Sequence, residues 1–161
     1  MPAFRAVLDS GHELVAVFTQ PDRPAGRGRR LTPPPVKRAA VEAGVPVRQP
    51  GNVARADLEA AAGPPGLDLL IVVAFGQILP GEVLDYPRQG AINVHGSLLP
   101  RWRGAAPIAR ALLAGDNETG VSVIRMVPAM DAGPVLREQR CAIADDETAA
   151  TLHDRLAVLG A

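Results

Sequence analysis

From Asp68 to Phe75 the chain reads Asp-Leu-Leu-Ile-Val-Val-Ala-Phe, an almost wholly apolar run. Such a run marks a central parallel strand covered on both faces. Gly76-Gln77-Ile78-Leu79-Pro80 follows at its carboxyl edge, where open α/β sheets collect their ligands. Other segments alternate around this strand. Residues 13–19 form an apolar run too short for a helix and predict a buried strand, and residues 45–48 predict a second, short one. Helices are expected over 2–10, 36–43, 53–62, 82–86, 105–114 and 147–159, with Gly11, Gly44 and Gly63 ending the first three. Residues 91–94 and 121–127 are expected to pair as neighbouring strands, and 135–143 to return after a hairpin-like reversal. The alternation predicts a doubly wound, Rossmann-like α/β domain with a mainly parallel sheet. At 161 residues there is room for one real core.

Residues 90–107 hold most of the chemistry. Ala91-Ile92-Asn93-Val94-His95 alternates with the period of a strand, so Asn93 and His95 share a face. Asn can donate to a developing oxyanion, and His can move a proton near neutral pH. Ser97, Leu98, Leu99 and Pro100 then break the pattern, and charge and turn residues run on to Gly104. Trp102 has two readings, packing under this loop or stacking on a ligand, of which packing is the commoner use of an aromatic. Asp131, in Met-Asp-Ala-Gly, has the composition of a turn. His12 reads as a helix-end residue and His153 as a solvated one.

Residues 20–35 form a long Gly/Pro-rich stretch, and a loop of this length is functional or disordered. Net charge is zero, yet between Pro21 and Arg38 six basic residues face Asp22 alone. Arg23, Arg27, Arg29 and Arg30 in that stretch make an electrostatic footprint for phosphates. Gly26 and Gly28 do not complete a dinucleotide fingerprint, because Leu31 stands where its last glycine would fall. The apolar share of 47 % suits a soluble protein, and no apolar run approaches a membrane span. Cys141 is alone and the N-terminus lacks a signal-peptide layout, which points to a reducing cytoplasm. No His-Glu-x-x-His or paired-Cys spacing occurs, so no metal is implied.

Four stretches in order resemble the folate-dependent formyltransferase family. They are Phe18-Thr19-Gln20-Pro21-Asp22-Arg23-Pro24-Ala25-Gly26-Arg27-Gly28-Arg29, Val73-Ala74-Phe75-Gly76-Gln77-Ile78-Leu79-Pro80, His95-Gly-Ser-Leu-Leu-Pro-Arg-Trp-Arg-Gly-Ala-Ala-Pro-Ile108 and Met130-Asp131-Ala132-Gly133-Pro134-Val135. Within the family they are most similar to the branch that formylates initiator methionyl-tRNA during translation initiation. The resemblance implies 10-formyltetrahydrofolate as co-substrate and makes Asn93, His95 and Asp131 the catalytic set, with Asp131 the partner of His95. It implies a folate pocket made by Phe75, Gly76, Gln77, Ile78, Leu79, Ser97, Leu98, Leu99, Pro100, Asp131 and Gly133, largely through main-chain groups, and a cis Leu99–Pro100 bond. Arg23, Arg27, Arg29 and Arg30 would meet the acceptor end of the tRNA. A cytoplasmic monomer is expected. The family also carries a hydrophobic strand and a Gly-Thr-Pro turn before the equivalent of Phe4, and a C-terminal β-barrel. Residues 1–161 therefore read as a partial catalytic domain with an Arg-rich insertion at 20–35. Other acceptors stay open, glycinamide ribonucleotide or an amino sugar, as does water in a folate hydrolase. So does a non-catalytic RNA-binding fragment.

Overall fold

The computed structural model describes residues 1–26 and 28–161, so Arg27 of the basic stretch lies outside the described residues. The elements run α1 (Pro2–Asp9), β1 (Val17–Phe18), β2 (Arg23–Ala25), β3 (Arg30–Thr32), α2 (Pro35–Glu42), β4 (Val47–Arg48) and α3 (Arg55–Ala62). They continue with β5 (Leu70–Val73), α4 (Gly81–Leu84), β6 (Ala91–His95), α5 (Pro107–Leu113), β7 (Glu118–Arg125), β8 (Val135–Ala142) and α6 (Ala149–Leu159). The α/β class holds. β1 pairs in parallel with β4, and a four-stranded sheet runs β5-β6-β7-β8. β5 and β6 are parallel, while β6/β7 and β7/β8 are antiparallel. Nine residues separate Arg125 from Val135, too few for the crossover of a dozen or more that a parallel pair needs, so β8 returns as a hairpin.

Two expectations are corrected at the strands. β5 is not covered on both faces: it borders the four-stranded sheet, and Ile71 and Val73 remain 39 % and 44 % exposed. Leu70 and Val72, on the alternate face, pack on a core of Val53, Leu58, Leu79, Val83, Leu84 and Ala91. Of residues 13–19 only Val17 and Phe18 are strand, because β4 offers just two partners, Val47 and Arg48.

The stretch 20–35 is also more ordered than a loop. β2 and β3 form an antiparallel hairpin with Arg23 opposite Thr32 and Pro24 opposite Leu31. Its base is anchored by side-chain amides. Gln20 Nε2 donates to the Phe75 carbonyl at 2.9 Å, and Gln49 Nε2 donates to the Gln20 carbonyl at 2.7 Å. Lys37 Nζ lies 2.8 Å from Asp22 Oδ2 and 2.7 Å from Gln49 Oε1. Lys37, counted above in the basic cluster, is thus spent on the one carboxylate there.

A second core joins the far side of the sheet to α6. Leu152 and Leu156 meet Val121, with Val94, Ile108 and Leu112 packed around them. Thr148 caps α6 by accepting from the Thr151 N–H at 3.2 Å. No helix among the described residues is long and apolar enough to cross a membrane.

The difference between the two faces of β5 is measurable. Leu58, 2 % exposed, loses its core contacts on truncation, so Leu58→Ala is expected to cost about 2–5 kcal/mol in urea unfolding. Ile71→Ala, on the open face, is expected to cost less than half as much as Leu58→Ala.

Candidate active site

β6 holds the site because it is paired on both edges. Asn93 faces Val72 of β5 and Ile124 of β7, and His95 faces Ser122 of β7. A strand clamped this way presents alternate side chains in fixed directions, and Asn93 and His95 reach the same carboxylate. Asn93 Nδ2 donates to Asp131 Oδ1 at 3.4 Å, and His95 Nδ1 lies 3.6 Å from Asp131 Oδ2. The second distance is longer than a hydrogen bond, so the two groups face each other without bonding directly. Asp131 Oδ2 also accepts the Gly104 N–H at 2.8 Å. Asn93 and His95 of β6 are therefore brought together with Asp131, 36 or more residues further along the chain. His95 is 7 % exposed, which keeps its ring out of bulk water.

Asp131 sits in the β7–β8 turn with φ +46°, a left-handed conformation that Asp tolerates better than most residues. Two residues on, a Cβ on Gly133 would lie 1.8 Å from the Arg125 carbonyl oxygen. Gly133 thus lets the turn fold back against the end of β7 and so places Asp131.

The other ring nitrogen of His95 has its own partner. Nε2 lies 3.0 Å from the carbonyl oxygen of Trp102, and a carbonyl can only accept, so Nε2 carries a proton. Trp102 is left-handed, φ +61°, a conformation costing about 1–2 kcal/mol for an L-residue. Two guanidinium groups stack on its indole, Arg101 at 4.2 Å and Arg110 at 4.9 Å from the ring centroid. Its Nε1–H donates to Asp116 Oδ2 at 2.7 Å, while Arg101 grips both oxygens of Asp116 at 3.0 and 2.6 Å. Trp102 therefore packs. Hydrogen bonds from Arg101 first and Trp102 second hold the Asp116 carboxyl below the usual carboxylate range.

Residues 97–100 make the turn leaving β6, and Leu99–Pro100 is cis. Ser97 is fully buried, and its Oγ donates to the Arg101 carbonyl at 2.6 Å. Ser122, also fully buried, accepts the Leu99 N–H at 3.0 Å and lies 2.8 Å from the Ser97 carbonyl. The sequence reading missed Ser122 and Asp116. The signal for Ser122 is its position opposite His95, visible only once the β6/β7 register is known.

The loop after β5 leaves the same sheet edge, since Val73 pairs with Val94 beside His95. Gly76 has φ +76°, a turn that side chains resist. Gln77 is occupied internally, its Oε1 accepting the Val53 N–H at 3.3 Å. Leu79 is buried in the core, Phe75 packs against it, and Ile78 is 84 % exposed. A Cβ added at Gly81, which opens α4, would lie 4.0 Å from Cγ of Pro128, so the start of α4 runs close to the Asp131 turn. Arg29 and Arg30 are exposed on the basic hairpin, and Arg23 Nη2 donates to Gln20 Oε1 at 3.2 Å. Among the described residues no cluster of His, Cys, Asp or Glu could hold a metal.

A family model described as formyl transferase matches residues 3–161. The methionyl-tRNA formyltransferase of Methylococcus capsulatus is 56 % identical over 161 residues, all of this chain and 52 % of that protein. That of Halorhodospira halophila is 58 % identical over 163 residues, again all of this chain and 52 % of the relative. The chain thus spans about half the length of these curated relatives. Among solved structures, glycinamide ribonucleotide transformylase 1 from Geobacillus kaustophilus superposes with a TM-score of 0.74 at 24 % identity, covering 98 % of this chain and 85 % of that one. Phosphoribosylglycinamide formyltransferase from Coxiella burnetii gives 0.72 at 26 %, covering 99 % and 74 %. These two likenesses bear on the fold.

Two outcomes follow from the site's construction. Gly133→Ala forces the Asp131 turn off β7 and is expected to cost about 1–3 kcal/mol, read as a lower urea midpoint. Asp116, like Asp22 and Glu147, has its carboxyl lowered on folding. Its contribution is whole above the unfolded carboxylate pKa, about 3.9, and is lost as pH falls through the lower folded value. Urea midpoints from pH 6 to pH 3 are expected to drop at the acid end, and less steeply in Asp116→Asn.

Proposed function

We propose, since the chain belongs to the formyl transferase family, that it carries the catalytic site for formylating the α-amine of methionine on initiator methionyl-tRNA from 10-formyltetrahydrofolate. The observation that carries this reading is the convergence of Asn93 and His95 on the Asp131 carboxylate at the β6 edge. The methionyl-tRNA acceptor is favoured by the 56 % and 58 % identity to proteins of that name over this whole chain, and by the exposed arginines of the hairpin.

Bound folate would supply the formyl group and an amine leaving group. By resemblance to the family, the folate ring would bind against main-chain groups of residues 75–78 and the Asp131 turn. As the methionine nitrogen bonds to the formyl carbon, negative charge builds on the formyl oxygen. Asn93 Nδ2 is the donor placed for that oxygen, and its 3.4 Å contact to Asp131 is long enough to exchange for a stronger acceptor. The attacking amine must lose a proton and the departing folate nitrogen must gain one. His95 carries that proton, with Asp131 stabilising the ring when it is charged. The basic hairpin holds the RNA. Arg23, Arg29 and Arg30 neutralise phosphates, and Arg27 belongs to the same proposal on sequence grounds alone. A cytoplasmic monomer, working without metal, completes the reading. β5, at the end of the four-stranded sheet, offers its free edge to a further strand within a longer catalytic domain.

Formylation of methionyl-tRNA by this chain tests the reading. Asn93→Ala is expected to lower the rate by about 10²–10³-fold. His95→Ala is expected to lower it by about 10²–10⁴-fold. Tight tRNA binding with no turnover in the unaltered chain would instead make it an RNA-binding module. Glycinamide ribonucleotide or an amino sugar formylated in preference to methionyl-tRNA would move the acceptor assignment. In tRNA binding, Arg29→Ala and Arg30→Ala are each expected to flatten the plot of log affinity against log salt by roughly one phosphate contact's slope, about 0.7–0.9.

A further inference from the structure

The sequence between Pro100 and Asp116 builds a structure larger than a loop needs. Trp102 is the chain's only tryptophan and stands where its backbone is left-handed. Arg101 and Arg110 both stack on its ring, its Nε1–H is spent on Asp116, and Arg101 grips the same carboxylate with two nitrogens. Arg110 Nη1 additionally donates to the Arg103 carbonyl at 2.7 Å, pinning the next turn of chain. The Asp116 side chain is only 14 % exposed. All of these contacts fix one thing that reaches the site, the direction of the Trp102 carbonyl, which is the partner of His95 Nε2 at 3.0 Å.

We infer that Asp116, through Trp102, is a positioning residue for His95: it holds the ring as the Nε2–H form, leaving Nδ1 on the Asp131 side as the atom that exchanges protons. The chain of contacts is short and complete. Asp116 fixes the indole, the indole and its two arginines fix the left-handed backbone, and that backbone aims the acceptor. Nδ1 then faces Asp131 Oδ2 at 3.6 Å, an acceptor that rewards a proton arriving there. With the Trp102 carbonyl turned away, nothing would distinguish the two nitrogens except Asp131, which would draw the single proton of the neutral ring to Nδ1. Proton exchange would then begin from the wrong atom. Wrong-tautomer histidines keep their position and lose their chemistry. The consequence for turnover rests on the proton-carrying role of His95 given above; the tautomer itself does not.

Imidazole nitrogen resonances of the ¹⁵N-labelled chain near pH 8 read the tautomer directly. His12 and His153 are exposed and serve as internal references. The native chain is expected to show His95 as a single Nε2–H form. In Asp116→Ala, His95 is expected to move toward the averaged or Nδ1–H pattern while the other two histidines stay put. Trp102→Phe keeps a ring against the arginines but removes the bond to Asp116, and is expected to shift His95 the same way, less far. It decides the matter alone should Asp116→Ala fail to fold. A His95 spectrum unchanged in a folded variant, with only a lower melting temperature, would overturn the inference and leave Asp116 as a structural anchor. In formylation assays the altered tautomer is expected to lower kcat at least tenfold with KM within twofold. A changed tautomer with kcat unaltered would uphold the positioning and count against His95 as the proton carrier.

Discussion

One carboxylate organises the edge of the sheet at the end of β6. Asp131 receives Asn93 and faces His95 on β6 while accepting the Gly104 N–H from the loop that follows. A strand end and the loop it runs into meet there a hairpin turn between β7 and β8 that lies far along the chain. A buried carboxylate is unfavourable unless its oxygens are hydrogen-bonded or faced by positive charge. Here both oxygens have partners, so the charge that would otherwise oppose burial becomes the reason these segments share one geometry.

Backbone strain is concentrated at the same place. Trp102, Ala106 and Asp131 are all left-handed without being glycine, and all lie in the two loops that close the site. Such residues persist where surrounding contacts over-determine them. The contacts are visible in each loop: the Arg101–Trp102–Arg110 stack with Asp116 in one, and the close approach of Gly133 to Arg125 in the other. Ser97 and Ser122, both fully buried, hold the intervening cis turn by bonds to backbone groups. The rigidity of the site therefore comes from its loops being cross-braced, while β6 supplies the direction.

Part of this was legible in the residues. β6 was legible because its alternation gives Asn93 and His95 a common face, and the structure begins and ends that strand at Ala91 and His95 as read. α6 was legible from its leucine spacing, with Leu152 and Leu156 buried. What failed had a physical cause in each case. The apolar run of β5 looked covered on both faces, because periodicity reports side chains and not which neighbours are present. Lys37 was counted as free positive charge, because its pairing with Asp22 spans 15 residues and two elements. The hairpin at 23–32 was read as a loop because prolines and glycines mask a three-residue pairing. Asp116 and Ser122 carry no local signature at all. They act through contacts that exist only after β6, β7 and the α5 region are assembled.

The central claim is that the charge of Asp131, and not merely its shape, makes this a formyl-transfer site. Formylation of methionyl-tRNA by Asp131→Asn measures it, because the amide keeps the volume and one acceptor oxygen while removing the charge that faces His95. The account predicts a rate lowered by about 10²–10⁴-fold with the free energy of urea unfolding within about 1 kcal/mol of the unaltered chain. A rate within a few-fold of the unaltered chain would contradict it.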